Sequence, residues 1–159
     1  MNFEVIYKTY WQKIFRLCMG YVNNYELAQD IAQETFIIVW QQLPKFRGEA
    51  NIGTWIFRIA SNNCLRQIER EKRYKKADLP VNLEEKKQAS HEQQIQLLYK
   101  YISELPEIDR IIISLELEEI KQVEIASIVG LSEANIRVRI HRIKEKLTNK
   151  FKENGQQRY

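Results

Sequence analysis

The stretch Gln122–Leu147, QVEIASIVGLSEANIRVRIHRIKEKL, restricts the possible folds more than any other part of the chain. Ile125, the small Ala126 and Val129 fall at helical spacing, Gly130 offers the left-handed backbone position that ends a helix cheaply, and Leu131 plugs the turn. Ser132 can cap a second helix that carries Glu133 in its first turn. The apolar residues of that helix, Ile136, Ile140, Ile143 and Leu147, form a single stripe. Around them lie Arg137, Arg139, Arg142, Lys144, Lys146, Lys150 and Lys152 against Glu145. A helix-turn-helix is predicted, its second helix packing along one apolar edge and cationic elsewhere. Such a surface is either a solvated face or one that meets phosphates.

The rest of the composition agrees with helices. Five glycines and three prolines in 159 residues supply few turns, and 44% hydrophobic residues are enough for real cores, so an all-α fold is expected. Charge is unevenly spread. Residues 55–77 hold seven cations (Arg58, Arg66, Arg70, Lys72, Arg73, Lys75, Lys76) against Glu69 and Glu71, residues 78–133 are acidic, and the last helix is basic again. Two basic helices flanking an acidic middle suggest two contacts with one polyanion, although each alone could be ordinary surface charge.

Periodicity divides the chain. A first helix to about Gly20 carries Phe3, Ile6, Tyr7, Tyr10, Trp11, Ile14, Phe15, Leu17 and Cys18. After Asn23 and Asn24 a second helix, about Tyr25 to Gln42, has a core stripe of Leu27, Ala28, Ile31, Ala32, Thr35, Ile38 and Val39. Phe36, Ile37 and Trp40 fall off that stripe, beside Gln29, Asp30 and Gln33. They form either a docking surface or a face covered by another helix. The loop Leu43–Asn51 leads to a third helix that starts near Gly53, with Thr54 as a possible cap, and runs to about Lys76. Its outer face repeats Arg58, Asn62, Arg66, Glu69 and Arg73 near Trp55 and Phe57, and rings among cations and amides suit single-stranded nucleic acid. The rings could equally be buried.

Between Lys75 and Ser90 periodicity vanishes and Pro80 interrupts, which marks a linker able to span about 50 Å at roughly 3.3 Å per residue. A fourth helix (about His91 to Glu104, burying Ile95, Leu98, Tyr99 and Ile102) and a fifth from Glu107 (Ile108, Ile111, Ile112, Leu115, Leu117) then lead into the helix-turn-helix. The expected organisation is a three-helix module over 1–76, a flexible linker over 77–90, a helix-turn-helix module over 91–152 and a disordered tail over 153–159. Cys18 and Cys64 read as buried reduced thiols, and with His91 and His141 they give no zinc spacing. No metal, cofactor or catalytic residue is expected, since a metal-dependent nuclease needs converging carboxylates or histidines. No apolar run approaches the roughly 18 residues of a membrane span, and the helix beginning at Met1 does not look like a signal peptide, so an intracellular, cytoplasmic protein is expected.

Four blocks in order, DIAQETFIIVW (Asp30 to Trp40), LPKFRGEANIGTWIFRIASNNCLRQIER (Leu43 to Arg70), LPEIDR (Leu105 to Arg110) and EIASIVGLSEANIRVRIHRIKEKL (Glu124 to Leu147), resemble those of extracytoplasmic-function sigma factors. The likeness covers about residues 3–150. It implies a subunit of bacterial RNA polymerase without a catalytic site of its own. The second helix would dock on the clamp helices of the largest polymerase subunit through Asp30, Gln33, Glu34, Phe36, Ile37 and Trp40. The loop and third helix would capture an unstacked base of the minus-ten element on single-stranded DNA, through Phe46, Arg47, Asn51, Arg58, Asn62, Asn63 and Arg66, with Trp55 holding the loop to the helix. The last module would read the minus-thirty-five element as duplex through Ala134, Asn135, Arg137, Val138, Arg139, His141 and Arg142. Within that set Arg142 and Asn135 suit base edges, and Arg137 and Arg139 suit phosphates. An anti-sigma factor is a further partner the resemblance implies. Two departures stand out: Ile120-Lys121 replaces the usual small polar cap before the first helix of the motif, and Gly53 replaces a more commonly polar or aromatic loop residue. The residues alone leave one alternative, a free-standing helix-turn-helix regulator with a helical ligand- or partner-sensing N-terminal domain.

Overall fold

A computed structural model describes residues 2–74 and 91–156, and every regular element among them is helical. Helices α1 (Phe3–Val22), α2 (Tyr25–Gln42) and α3 (Ile52–Tyr74) form the first module, with a single 3₁₀ turn at Leu43–Lys45. Helices α4 (His91–Ser103), α5 (Glu107–Leu117), α6 (Gln122–Val129) and α7 (Glu133–Gln156) form the second. The linker expected over 77–90 and residues 157–159 lie outside the described residues, as do the side chains of Arg70, Lys72, Arg73, Lys75 and Lys76. Helix α7 continues through Gln156, so the tail expected from 153 is helical over its first four residues.

Side-chain chemistry sets the ends of these helices. Asn2 caps α1 by accepting from the Glu4 N–H at 2.9 Å, and Asn23 ends it in the left-handed region at φ 48°. Asn24 caps α2 through the Leu27 N–H at 3.0 Å. The expected cap of α3, Thr54, is instead buried in the first turn. Asn51 caps that helix, its Oδ1 accepting from the Gly53 N–H at 2.8 Å, because the helix begins earlier than the apolar stripe does. Gly53 is a packing position: a Cβ there would lie 3.0 Å from the Tyr10 hydroxyl oxygen. Gly130 (φ 77°) ends α6 as expected, and Ser132 accepts from the Asn135 N–H at 3.1 Å to cap α7. Lys121, before α6, makes no side-chain cap bond.

The two modules are packed on each other rather than held apart. Helix α1 contacts α2 and α3 on one side and α4 and α5 on the other, and α3 also meets α6. Buried Gly20 abuts buried Ser114 of α5 so closely that a Cβ on Gly20 would lie 2.3 Å from Ser114 Oγ. Arg110 places its guanidinium 5.5 Å from the centre of the Tyr21 ring. At the rim Arg16 holds Glu118 through both carboxylate oxygens, and that partner raises the Arg16 pKa further above its ordinary value. Arg16 is half-exposed while the Glu118 side chain is 7% exposed, so the pair closes the rim of a seam whose centre is apolar.

Most of the expected core is core, including Ile125, Ile136, Ile140, Ile143 and Leu147. Three residues of the expected apolar faces are not: Ile95 and Leu117 are each about 50% exposed, and Tyr7 is 38% exposed. Cys18 and Cys64 are fully buried, with their sulfurs 3.9 Å apart across α1 and α3. The Cys64 thiol donates to Cys18, and this bond and then burial push its pKa well up.

Two measurements check this packing. Gly20→Ala is accommodated by rotation of the Ser114 hydroxyl, whose Cβ sits at an ordinary 3.4 Å, whereas Gly20→Leu overfills the seam. The leucine variant is expected to lose about 1–3 kcal/mol in urea melts, or to show a larger radius of gyration by small-angle scattering if the modules part. Neither thiol is expected to react with an alkylating reagent at neutral pH until denaturant unfolds the chain, because both are buried away from the reagent and the Cys64 thiolate is suppressed as well.

Candidate nucleic-acid and polymerase interfaces

The surface of α2 is built from a partly covered aromatic row. Tyr7 and Trp11 of α1 cover Phe36, with ring centroids at 5.0 and 5.8 Å, and leave it 2% exposed. Phe36 is therefore core, which corrects its expected place on an open docking face. Ile37 and Trp40 remain 55% and 63% exposed, with Asp30, Gln33 and Glu34 exposed along the same helix. Phe3, Tyr7, Gln33, Phe36, Ile37 and Trp40 together line an open groove of about 450 Å³. Trp40 also borders a second groove of about 660 Å³ with Phe3, Leu43, Pro44, Phe46, Arg47 and Gly48. The apolar ridge and the loop are thus one continuous surface.

In that loop, Phe46 lies against Trp55 with ring centroids 4.8 Å apart, a contact between the loop and α3. Gly48 adopts φ 71°, a turn that opens the loop outward. Arg47 and Asn51 are exposed. Beyond them, Asn62 and Arg66 are exposed on α3, and Arg58 is partly covered. Asn51, Trp55, Arg58, Asn62 and Arg66 recur every three or four positions and therefore share one helix side.

Asn63 does not belong to that side. It is 6% exposed, its amide donating to Thr35 Oγ1 at 3.1 Å and its carbonyl accepting from Arg66 at 2.6 Å. Thr35 in turn donates to the Ile31 carbonyl at 2.8 Å. The expected strand contact is a buried polar bridge between α2 and α3. Its neighbour Asn62 lies about 100° further round the helix, which is the physical reason one amide is inside and the other outside. Sequence spacing also gave no sign that Arg58 would donate to Ser127 of α6 at 2.8 Å.

Helix α7 presents Ala134, Asn135, Arg137, Val138, His141 and Arg142 to solvent. Arg137 lies 3.9 Å from Glu133 and His141 lies 3.7 Å from Glu145, both loose contacts on an exposed face that leave the two side chains available. Arg139, expected to meet phosphate, is instead drawn inward: it bonds Asp109 of α5 at 3.0 Å and the Asn135 side chain at 2.7 Å. Asp109 was legible only as one more acid on the fifth helix, because its partner lies 30 residues away. Lys150 is also engaged, by Glu104 and the ring of Tyr101. Among the described residues, no group of three or more His, Cys, Asp or Glu side chains could hold a metal ion, and no helix is long and apolar enough to cross a membrane.

Comparison with known proteins agrees with this division. The family model "Sigma-70 region 2" matches residues 6–74, and "Sigma-70, region 4" matches residues 95–147. The RNA polymerase sigma factor YlaC of Bacillus subtilis is 28% identical over 156 residues, covering 92% of this chain and 90% of its own. The ECF RNA polymerase sigma factor SigW of the same organism is 29% identical over 168 residues, with 95% and 89% covered. The ECF RNA polymerase sigma-E factor of Escherichia coli K12 is 29% identical over 169 residues, with 93% and 85% covered. Two solved structures share the fold. The sigma factor RpoE from Bartonella quintana, in complex with the anti-sigma factor NepR, superposes with a TM-score of 0.79 at 18% identity, covering 94% of this chain and 96% of that one. CnrH, in complex with the cytosolic domain of CnrY, gives 0.73 at 20% identity, covering 94% and 87%. With both modules matched in order and nearly the whole chain aligned, the protein belongs to the extracytoplasmic-function sigma factors, the promoter-specificity subunits of RNA polymerase.

Proposed function

We propose that the labour of promoter recognition is divided among three surfaces of this chain. The ridge of Ile37 and Trp40, with Asp30, Gln33 and Glu34 beside it and the groove floored by Phe36, docks the core polymerase. The side of α3 that carries Arg58, Asn62 and Arg66, with the Phe46–Asn51 loop pinned by Trp55, takes the opened non-template strand of the minus-ten element. The outer face of α7, with Asn135 and Arg142 at its centre and Arg137 and His141 beside them, enters the major groove of the minus-thirty-five element.

The observation that carries this reading is the joint exposure of Trp40 at 63% and Ile37 at 55%, which leaves an apolar ridge open on α2 beside covered Phe36. A solvated tryptophan continuous with a ring-lined loop is costly in isolation and is accounted for by a protein partner. Strand capture then follows from proximity, since the docking ridge and the loop share one groove wall. Flipping a base costs a few kcal/mol, which stacking at about 1–3 kcal/mol per base offsets. Arg58 bonds Ser127 through one guanidinium nitrogen here, and release of α6 from α3 frees that donor for DNA. The two modules separate when both engage a promoter, and their joint hold exceeds either contact alone.

The reading gives the chain recognition without a reaction of its own, in the cytoplasm beside the polymerase it serves. An anti-sigma factor is proposed as its second protein partner, supported by the complexes in which both structural neighbours are found. A free-standing regulator would need the chain alone to bind an operator tightly, and no contact described above favours that.

Reconstitution with core polymerase on a promoter library tests the division. Run-off transcripts are expected from the mixture and from neither component alone, and a tight footprint by the isolated chain would overturn the reading. Trp40→Ala is expected to weaken core binding with unchanged helicity. Arg142→Ala is expected to weaken use of the upstream element by about 1–3 kcal/mol. The paired amides separate structure from function: Asn62→Ala should leave the urea midpoint nearly unchanged while impairing promoter melting. Asn63→Ala should cost about 1–3 kcal/mol of stability by removing the buried amide that donates to Thr35 and accepts from Arg66.

A further inference from the structure

The recognition face of α7 contains one side chain whose orientation is fixed from outside the helix. Arg139 is 35% exposed and bridges two acceptors. Its Nε donates to Asn135 Oδ1 at 2.7 Å and its Nη1 donates to Asp109 Oδ1 at 3.0 Å. Asp109 sits on α5, its side chain only 13% exposed, so it is an anchored acceptor rather than a loose surface partner. A guanidinium donates and never accepts. The Asn135 atom turned to Arg139 must therefore be the carbonyl oxygen, and the amide NH₂ faces away, on the exposed side of the helix.

Asn135 lies in the first turn of α7, where its own backbone N–H is already satisfied by Ser132 Oγ at 3.1 Å. The first turn of a groove-reading helix is the part that reaches base edges. A free asparagine can turn either its donor or its acceptor toward a base. A clamped one shows the donor first. In the major groove, guanine offers N7 and O6, adenine N7 and thymine O4 as acceptors, whereas cytosine offers an N4 amine that donates.

We infer that Asn135 is a specificity-determining residue that selects a base with a major-groove acceptor and rejects cytosine, and that Asp109 is its positioning residue, acting through Arg139. This rests on the reading of α7 as the helix that enters the minus-thirty-five element. Arg139 accordingly serves orientation, with its charge already taken by Asp109.

The test uses holoenzyme assembled from the full chain and core polymerase, with transcript yield measured across promoters randomised over the upstream element. Asn135→Ala locates the position: preference among the four bases should collapse at one base pair, and there the unsubstituted protein should disfavour cytosine. If no position responds, the placement of the first turn of α7 on base edges fails, whatever Asp109 does. If the position responds but the unsubstituted protein prefers cytosine, the donor-outward orientation is wrong while the groove reading survives.

Asp109→Ala should reduce discrimination against cytosine at that same position by about fivefold to tenfold, and Asp109→Glu should retain most of it. Arg139→Gln, which leaves the α5 side intact, should reproduce the loss. A uniform fall in transcription across all promoters, with base preference unchanged in Asp109→Ala and Arg139→Gln, would reduce the ion pair to a staple between helices and overturn the inference.

Discussion

Helix α1 is buried on two sides, and the rest of the molecule depends on that. Ile6, Ile14, Leu17, Cys18 and Tyr21 leave the solvent almost completely, some against α2 and α3 and others against α4 and α5. At about 1.5–3 kcal/mol for each large side chain removed from water, this seam is the main apolar contribution to closure, with the Arg16–Glu118 pair at its rim. Gly20 sets how closely the modules approach, since its missing Cβ is the space that Ser114 fills. The interface therefore depends on apolar fit at its centre and uses charge at its edge to fix direction.

The same packing decides which parts of each helix remain available. Phe36 and Trp40 are one turn apart on α2, yet one is covered and the other open. Tyr7 and Trp11 lie over Phe36, whereas Trp40 shares only an open groove with Phe3 and Tyr7. On α3, Ile56, Phe57, Ala60 and Cys64 face the core, which leaves Asn62 and Arg66 outside and takes Asn63 in. A buried amide is tolerated because Thr35 and Arg66 satisfy it. On α7 the stripe from Ile136 to Leu147 is wholly buried, and the basic face is what remains. Each functional surface is thus the complement of a packing surface.

Much of this was legible in the residues. Local rules govern the helix-turn-helix: Gly130 can adopt a positive φ without steric cost, Ser132 can reach an orphan N–H, and isoleucines four and three apart must share a side. The blocks from Asp30 to Arg70 and from Leu105 to Leu147 carried the family likeness, and the matched family models cover the same ground. The cap of α3 was misplaced by three residues because Asn51 and Thr54 are both competent caps, and only the actual start of the helix chooses between them.

Residue order dictated the helices, their division into two modules, the buried stripes and the basic faces, because these follow from backbone preferences and a period of 3.6 residues acting within one segment. Packing in three dimensions was needed to close the modules on each other, to take Phe36 and Asn63 inside, to bring Arg58 to Ser127 and to set Asp109 against Arg139. Those outcomes join residues between 28 and 102 positions apart. Periodicity reports which side of a helix a residue occupies. It carries no information about what stands opposite.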